Sequence, residues 1–264
     1  MVRIVPLAAT VSPLHAQSRR ESAAIEFDGA QTSQVVWLDL PQALPRPLHA
    51  NHWLILGFML AYERNTHLEI VGKVDELLVR NLSGVNHLLN TWLGRKHLVE
   101  IICSECAKIP CAMPRRVGLF FSGGVDSMFS LFSAETDHSI LDLLTVWGFD
   151  IPLSKPDEFA KLSGVLATVA ARTNKSFTPV STNLRSLGEP FQVHWGDRGH
   201  GAALAAVAHL CSSQLTEVRI ASSFDFANLF PWGSHPFLDP LFSSGNLSIV
   251  HDGIAWSRVD KTRL

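Results

Sequence analysis

The sequence predicts an α/β protein in which a parallel sheet flanked by helices occupies residues 115–264 and a smaller α+β region occupies residues 1–114. Three observations predict it. Short β-type runs alternate regularly with helical segments after Pro114, the signature of βαβ units. Proline, charge and mixed periodicity dominate before that point. The 264 residues, 47% of them hydrophobic, are enough to bury a sizeable core.

Residues 1–33 hold Pro6, Pro13 and a Ser/Arg cluster with no sustained period, and read as an irregular arm with one short strand. Val35 to Leu40 has β character, and Pro41, Pro45 and Pro47 make the following stretch a loop because proline removes ladder donors. A helix is expected over 51–62. His67 to Val71 alternates as a strand and ends at Gly72. Leu77, Leu78, Val85, Leu88, Leu89 and Trp92 then recur at three- and four-residue steps, predicting an amphipathic helix from Lys73 to about Leu93. Leu98 to Ile102 is a short strand, and 103–114 reads as a connector.

Beyond the boundary near 114, strands are expected at 117–121, 141–147, 176–180, 217–222 and 247–250. Helices are expected after Asp126 and at about 155–173 and 199–213.

With 22 Lys+Arg against 24 Asp+Glu the net charge is −2, which removes the electrostatic footprint of a bulk nucleic-acid binder. Cys103, Cys106, Cys111 and Cys211 are too few for a disulfide scaffold and fit a reducing compartment. Met1 to Gln17 imitates a signal peptide only loosely, since Pro6, Thr10 and Ser12 interrupt it, so a cytoplasmic location is expected. The strongest apolar run, Trp53 to Ala61, falls short of the roughly 20 residues a membrane span requires, and no membrane association is expected.

One segment carries chemistry: Ser122-Gly123-Gly124-Val125-Asp126-Ser127, directly after an apolar strand and directly before an apolar helix. Two residues without a β-carbon let the backbone turn sharply and approach a ligand, while the new helix points its free N–H groups and positive dipole end at the same place. Ser122 and Ser127 add hydroxyl donors. Asp126 either caps the helix or helps hold a divalent cation. A turn with an N-cap uses the same residue types, but the strand before and the helix after favour a phosphate site. Neither a Walker loop nor a G-x-G-x-x-G fingerprint occurs.

On these residues the chain resembles the N-type PP-loop ATP pyrophosphatases, whose signature SGGxDS stands complete at Ser122 to Ser127. That group includes asparagine, GMP and NAD synthetases and the queuosine-pathway nitrile synthase. The resemblance implies an adenine nucleotide alpha hydrolase-like fold with a five-stranded parallel sheet. It also implies ATP and Mg²⁺ as cofactors, with Ser122, Gly123, Gly124, Asp126 and Ser127 on pyrophosphate and Asp126 on the metal. Asp126 and Ser127 are the expected catalytic residues. The implied reaction adenylates a carboxylate or carbonyl oxygen of a small-molecule carboxylate or amide, releasing pyrophosphate, for attack by an amine or ammonia. No glutaminase signature is present. The queuosine-pathway enzyme carries cysteines near its C-terminus for zinc, whereas this sequence has none after Cys211. Alternatives are an ATP-dependent tRNA sulfurtransferase and a nucleotide-binding module without turnover; a homodimer is left open.

Gly148, Phe149 and Asp150, at the carboxyl end of the second strand of this half, are candidate nucleotide contacts, a solvent-facing turn being the other reading. Arg198 and His200 crowd the start of the alanine-rich helix, where an anion could also sit, although a capping loop explains them nearly as well. The loop after Ser222, rich in Phe, Trp and Pro, supplies Asp225, His235 and Asp239 as candidate substrate residues. His209 reads as a packed residue, and the cysteines as buried and inert.

Overall fold

The computed structural model describes residues 1–29, 33–111, 115–133, 140–187 and 193–263. The strands are β1 (Val2–Pro6), β2 (Thr10–Val11), β3 (Ser18–Phe27), β4 (Gln34–Pro41), β5 (Leu68–Asp75), β6 (Ile101–Ala107), β7 (Val117–Phe120), β8 (Ile140–Trp147), β9 (Ser176–Thr182), β10 (Glu217–Ala221) and β11 (Ser248–Asp252). The helices are α1 (Asn51–Glu63), α2 (Glu76–Leu93), α3 (Val125–Phe132), α4 (Pro156–Arg172), α5 (His200–Leu210) and α6 (Arg258–Lys261).

All strands join one mixed sheet in the order β11-β10-β7-β8-β9-β4-β3-β1-β5-β6, with β2 beside β3. From β11 to β9 every pairing is parallel. β9 meets β4 antiparallel through Leu38 opposite Thr182 and Asp39 opposite Ser181. The parallel half is apolar on both faces: all four residues of β7 are buried, as expected of strands covered by helices. The boundary expected near residue 114 falls outside the described residues; the strands before and after it share one sheet.

Apolar side chains on every face bury α1 from Asn51 to Tyr62, and α5 is likewise buried from Gly201 to Leu210 except at Leu204. Helices of this composition belong inside a core, and the two pack on each other. By contrast α2 and α4 bury a single stripe.

Three expectations for the first half need correction. Residues 1–33 are not an irregular arm: they supply β1, β2 and the ten-residue β3. The period is hidden because β3 carries Arg19, Arg20 and Glu21, whose charges are neutralised by Glu21, Asp39 and Arg46 rather than exposed as a loop's would be. The expected connector at 103–114 is a strand as far as Ala107, paired in parallel with β5. Finally, the helix expected from Lys73 begins at Glu76, because the register of β5 shifts between Ile70 and Lys73 and the strand continues to Asp75.

Candidate functional site

Sheet order creates the site. The chain runs from β7 outward through β8 to β9 on one side, then returns to β10 and β11 on the other. Open α/β sheets bind ligands in the crevice outside the carboxyl ends of the strands at such a switch point. A cleft of about 600 Å³ lies there, lined by the loop after β7, the ends of β8 and β10, and residues of β11 and α6.

The loop after β7 is built to turn. Gly123 has φ +75°, and a β-carbon there would stand 2.9 Å from Leu166 Cδ2. Gly124 occupies the N-cap of α3 with no side-chain cap, so the helix presents its first-turn N–H groups to the cleft. Two hydroxyls brace the turn: Ser122 Oγ accepts from Gly124 N at 3.3 Å, and Ser127 Oγ donates to Gly124 O at 3.0 Å. They lie 3.4 Å from each other.

Asp126 does not cap the helix. Arg258 Nη2 donates to one of its oxygens at 2.7 Å and Lys261 Nζ to the other at 3.3 Å. The Asp126 hydrogen bond and charge raise the Arg258 guanidinium above its already high pKa. Lys261 is buried, and it also donates to Ser222 O at 2.5 Å. Both cations come from the short α6, whose N-terminus Ser257 caps by accepting from Asp260 N at 3.2 Å. Sequence reasoning missed Arg258 and Lys261. The only local signal is their three-residue spacing, and nothing nearby in sequence points to Asp126.

The cleft gathers several other expected residues. Phe149, Asp150, His200 and His235 line it together with Ser122, Gly124, Asp126 and Ser127. Burial lowers the pKa of His200 and His235, the neighbouring His251 lowering the latter further. Gly148 lies behind this wall: at φ +103° its absent β-carbon would fall 2.0 Å from Thr182 O, so its role is close packing of β8 on β9.

Three expected substrate residues lie elsewhere. Arg198 ion-pairs with Glu63 and lines a separate depression beside α1. Asp225 caps its own turn, accepting from Ala227 N and Asn228 Nδ2, both at 2.9 Å. Asp239 is fully buried and accepts from Ser234 Oγ at 2.6 Å. Its carboxylate turns inward under the aromatic loop. In that loop Phe226 and Phe237 are each 67% exposed.

The cysteines also depart from expectation. Cys106 and Cys111 are exposed and only Cys211 is buried, its thiol pushed up to about 12 by burial. None of the four lines the cleft. His209 is a packed residue as read, its Nε2 donating to Phe242 O at 2.7 Å. Among the described residues no helix is long and apolar enough to cross a membrane.

The residues present fit a polyphosphate: uncapped backbone donors, two hydroxyls and two cations converge on one loop. They offer a metal ion little of their own. Among the described residues no cluster of three His, Cys, Asp or Glu could hold one. Such a donor set suits Mg²⁺ held mainly by phosphate and water oxygens, with Asp126 as the carboxylate of the loop. Comparison with known proteins adds nothing to this geometry: no family model, no curated protein and no solved structure matches the chain.

Proposed function

We propose that the protein is an ATP pyrophosphatase-type synthetase of adenine nucleotide alpha hydrolase-like fold, resembling the N-type PP-loop group. It adenylates a carboxylate or carbonyl oxygen of a small molecule, releases pyrophosphate, and activates that carbon for an amine or ammonia. The observation that carries this reading is the uncapped start of α3 at the switch point, facing a cleft large enough for a nucleotide and a small acceptor.

Bound MgATP supplies the electrophilic α-phosphorus and the leaving pyrophosphate. Main-chain donors at Gly124 and the first turn of α3 hold the phosphate tail, assisted by Ser122 and Ser127, because fixed dipoles aimed at developing charge need no reorganisation during reaction. Arg258, which lines the cleft and pairs with Asp126, is the cation available to phosphate oxygens, while the buried Lys261 adds positive charge behind Asp126. Asp126 orients these cations and is the one carboxylate in the loop able to face the metal. Phe149, Asp150, His200 and His235 all line the cleft; in this reading the first two, at the end of β8, are assigned to the nucleoside and the two histidines are left to the acceptor.

The test is MgATP-dependent pyrophosphate release across a panel of carboxylate and amide acceptors with ammonia. Asp126→Ala is expected to lower turnover by about 100-fold or more while leaving the far-UV spectrum unchanged. Unchanged turnover in that variant removes Asp126 from the mechanism. Tight MgATP binding without turnover on any acceptor favours a nucleotide-binding module instead.

A further inference from the structure

A second set of groups converges on the same cleft, and nothing in the nucleotide reading uses it. Ser222 follows β10, His251 lies in β11, and Asp239 begins a single turn of 3₁₀ helix between them. Asp239 Oδ2 is 2.7 Å from His251 Nδ1, and His251 Nε2 is 2.8 Å from Ser222 Oγ. The three form one line from a fully buried carboxylate through an imidazole to a hydroxyl, and both Ser222 and His251 line the cleft. Asp239 is itself held: Ser234 Oγ donates to Oδ2 at 2.6 Å, and His235 N donates to Oδ1 at 3.3 Å. A carboxylate so fixed favours the tautomer with the proton on Nδ1, which leaves the lone pair of Nε2 toward the hydroxyl.

We propose that Ser222, His251 and Asp239 form a serine nucleophile centre able to transfer acyl groups, a chemistry independent of ATP. The arrangement meets the geometric requirement of a nucleophile within hydrogen-bond reach of a base that a third group orients. Ser222 Oγ attacks the carbonyl carbon of an ester and its proton passes to His251 Nε2. Asp239 stabilises the imidazolium. The bond from carbon to the leaving oxygen breaks, and the departing alcohol takes the proton from Nε2. Water then repeats the sequence, releasing the carboxylic acid and restoring Ser222. Phe224, Phe230 and Trp232 pack against one another along the same wall, so the acyl group that fits is aromatic or apolar.

One contact competes with this chemistry: Ser222 Oγ also lies 2.5 Å from Phe224 O. The hydroxyl has a single hydrogen, and only when it turns to His251 Nε2 is Oγ activated. Reaction with diisopropyl fluorophosphate, added to the full chain without nucleotide, distinguishes the two states. One phosphoryl adduct per chain is expected by intact mass, mapping to Ser222, with a rate about 100-fold lower in His251→Gln. Hydrolysis of p-nitrophenyl butyrate should fall in parallel in His251→Gln and Ser222→Ala. A wild-type chain left unmodified at Ser222, or modified equally fast in a folded His251→Gln variant, overturns the proposal and leaves the line as a structural tie between β10, β11 and the aromatic loop. The wild-type adduct alone decides the matter if the variants fail to fold, and MgATP binding is read separately.

Discussion

Two helices of this molecule begin at the carboxyl end of a parallel strand, and they begin in opposite ways. At the β5–α2 junction Asp75 is buried and its carboxylate accepts from Leu77 N and Leu78 N of the helix, from Gly245 N at 2.9 Å and from Ile109 N at 3.1 Å. Four donors share one anion, and the junction is closed. At the β7–α3 junction the cap position is Gly124, with no side chain to offer, and the nearest carboxylate, Asp126, turns away to Arg258 and Lys261. The difference teaches where a ligand can bind. A helix start that owns its counter-charge is a structural joint, whereas one that lacks it is an anion site.

Around the closed junction the protein also buries titratable groups that its fold keeps neutral. His49 and His209 are lowered to about 4 and His52 well below its usual value, desolvation being the first cause in each. The sign follows from proton counting. Between pH 6.5 and 4 the unfolded chain binds protons at these imidazoles and the folded chain does not. Stability is therefore fully present above 6.5 and is lost as pH falls toward 4, by up to about 1.4 kcal/mol per pH unit for each histidine. Urea midpoints across that window should drop steeply, the largest effect expected here; a flat profile would mean these imidazoles are not buried neutral. Asp75→Ala should come next, at about 3 kcal/mol, because it removes the acceptor of four N–H groups at once, that of Leu78 buried and the other three partly buried. The same urea series measures it, and a loss below about 1 kcal/mol would show that the junction is not closed by that carboxylate.

The two junctions were unequally legible in the sequence. Ser122 to Ser127 is contiguous and flanked by an apolar strand and helix, so its chemistry is visible without the fold. The parallel strands are legible for a related reason: burial on both faces writes them as short apolar runs such as Val117 to Phe120. Asp75 was invisible as a cap because β5 runs three residues past Gly72, through a register shift that local periodicity does not encode. β3 was hidden because Arg20 finds its partner Asp39 on a neighbouring strand, so charges that look solvated are paired. Arg258 and Lys261 meet the loop, and His251 and Ser222 line the same cleft, only because β11, β10 and β7 are neighbours, which is a property of sheet order and not of any segment. Asp239 was misread for the converse reason: its loop position suggested a cleft-facing group, and the turn folds it inward onto His251.

The contrast between the junctions can be broken by giving α3 the feature that closes α2. Gly124 has φ −75° and ψ 163°, a conformation open to any L residue, and an added β-carbon would stand 3.3 Å from Ser122 Oγ, a tight contact with a hydroxyl that can rotate. Gly124→Asp should therefore fold, and a capping carboxylate in place of glycine should raise stability slightly, by about 0.5 kcal/mol. In the same variant the carboxylate occupies the donors that phosphate would use, so MgATP affinity by calorimetry should fall about tenfold or more, equivalent to about 1.4 kcal/mol. Gly124→Ala carries the same β-carbon without charge or cap and should bind nearly as well as the unaltered chain. Equal loss in both variants would trace the effect to crowding against Ser122. Equal retention would mean that the open start of α3 is not where the nucleotide sits, and that the two junctions differ in shape alone.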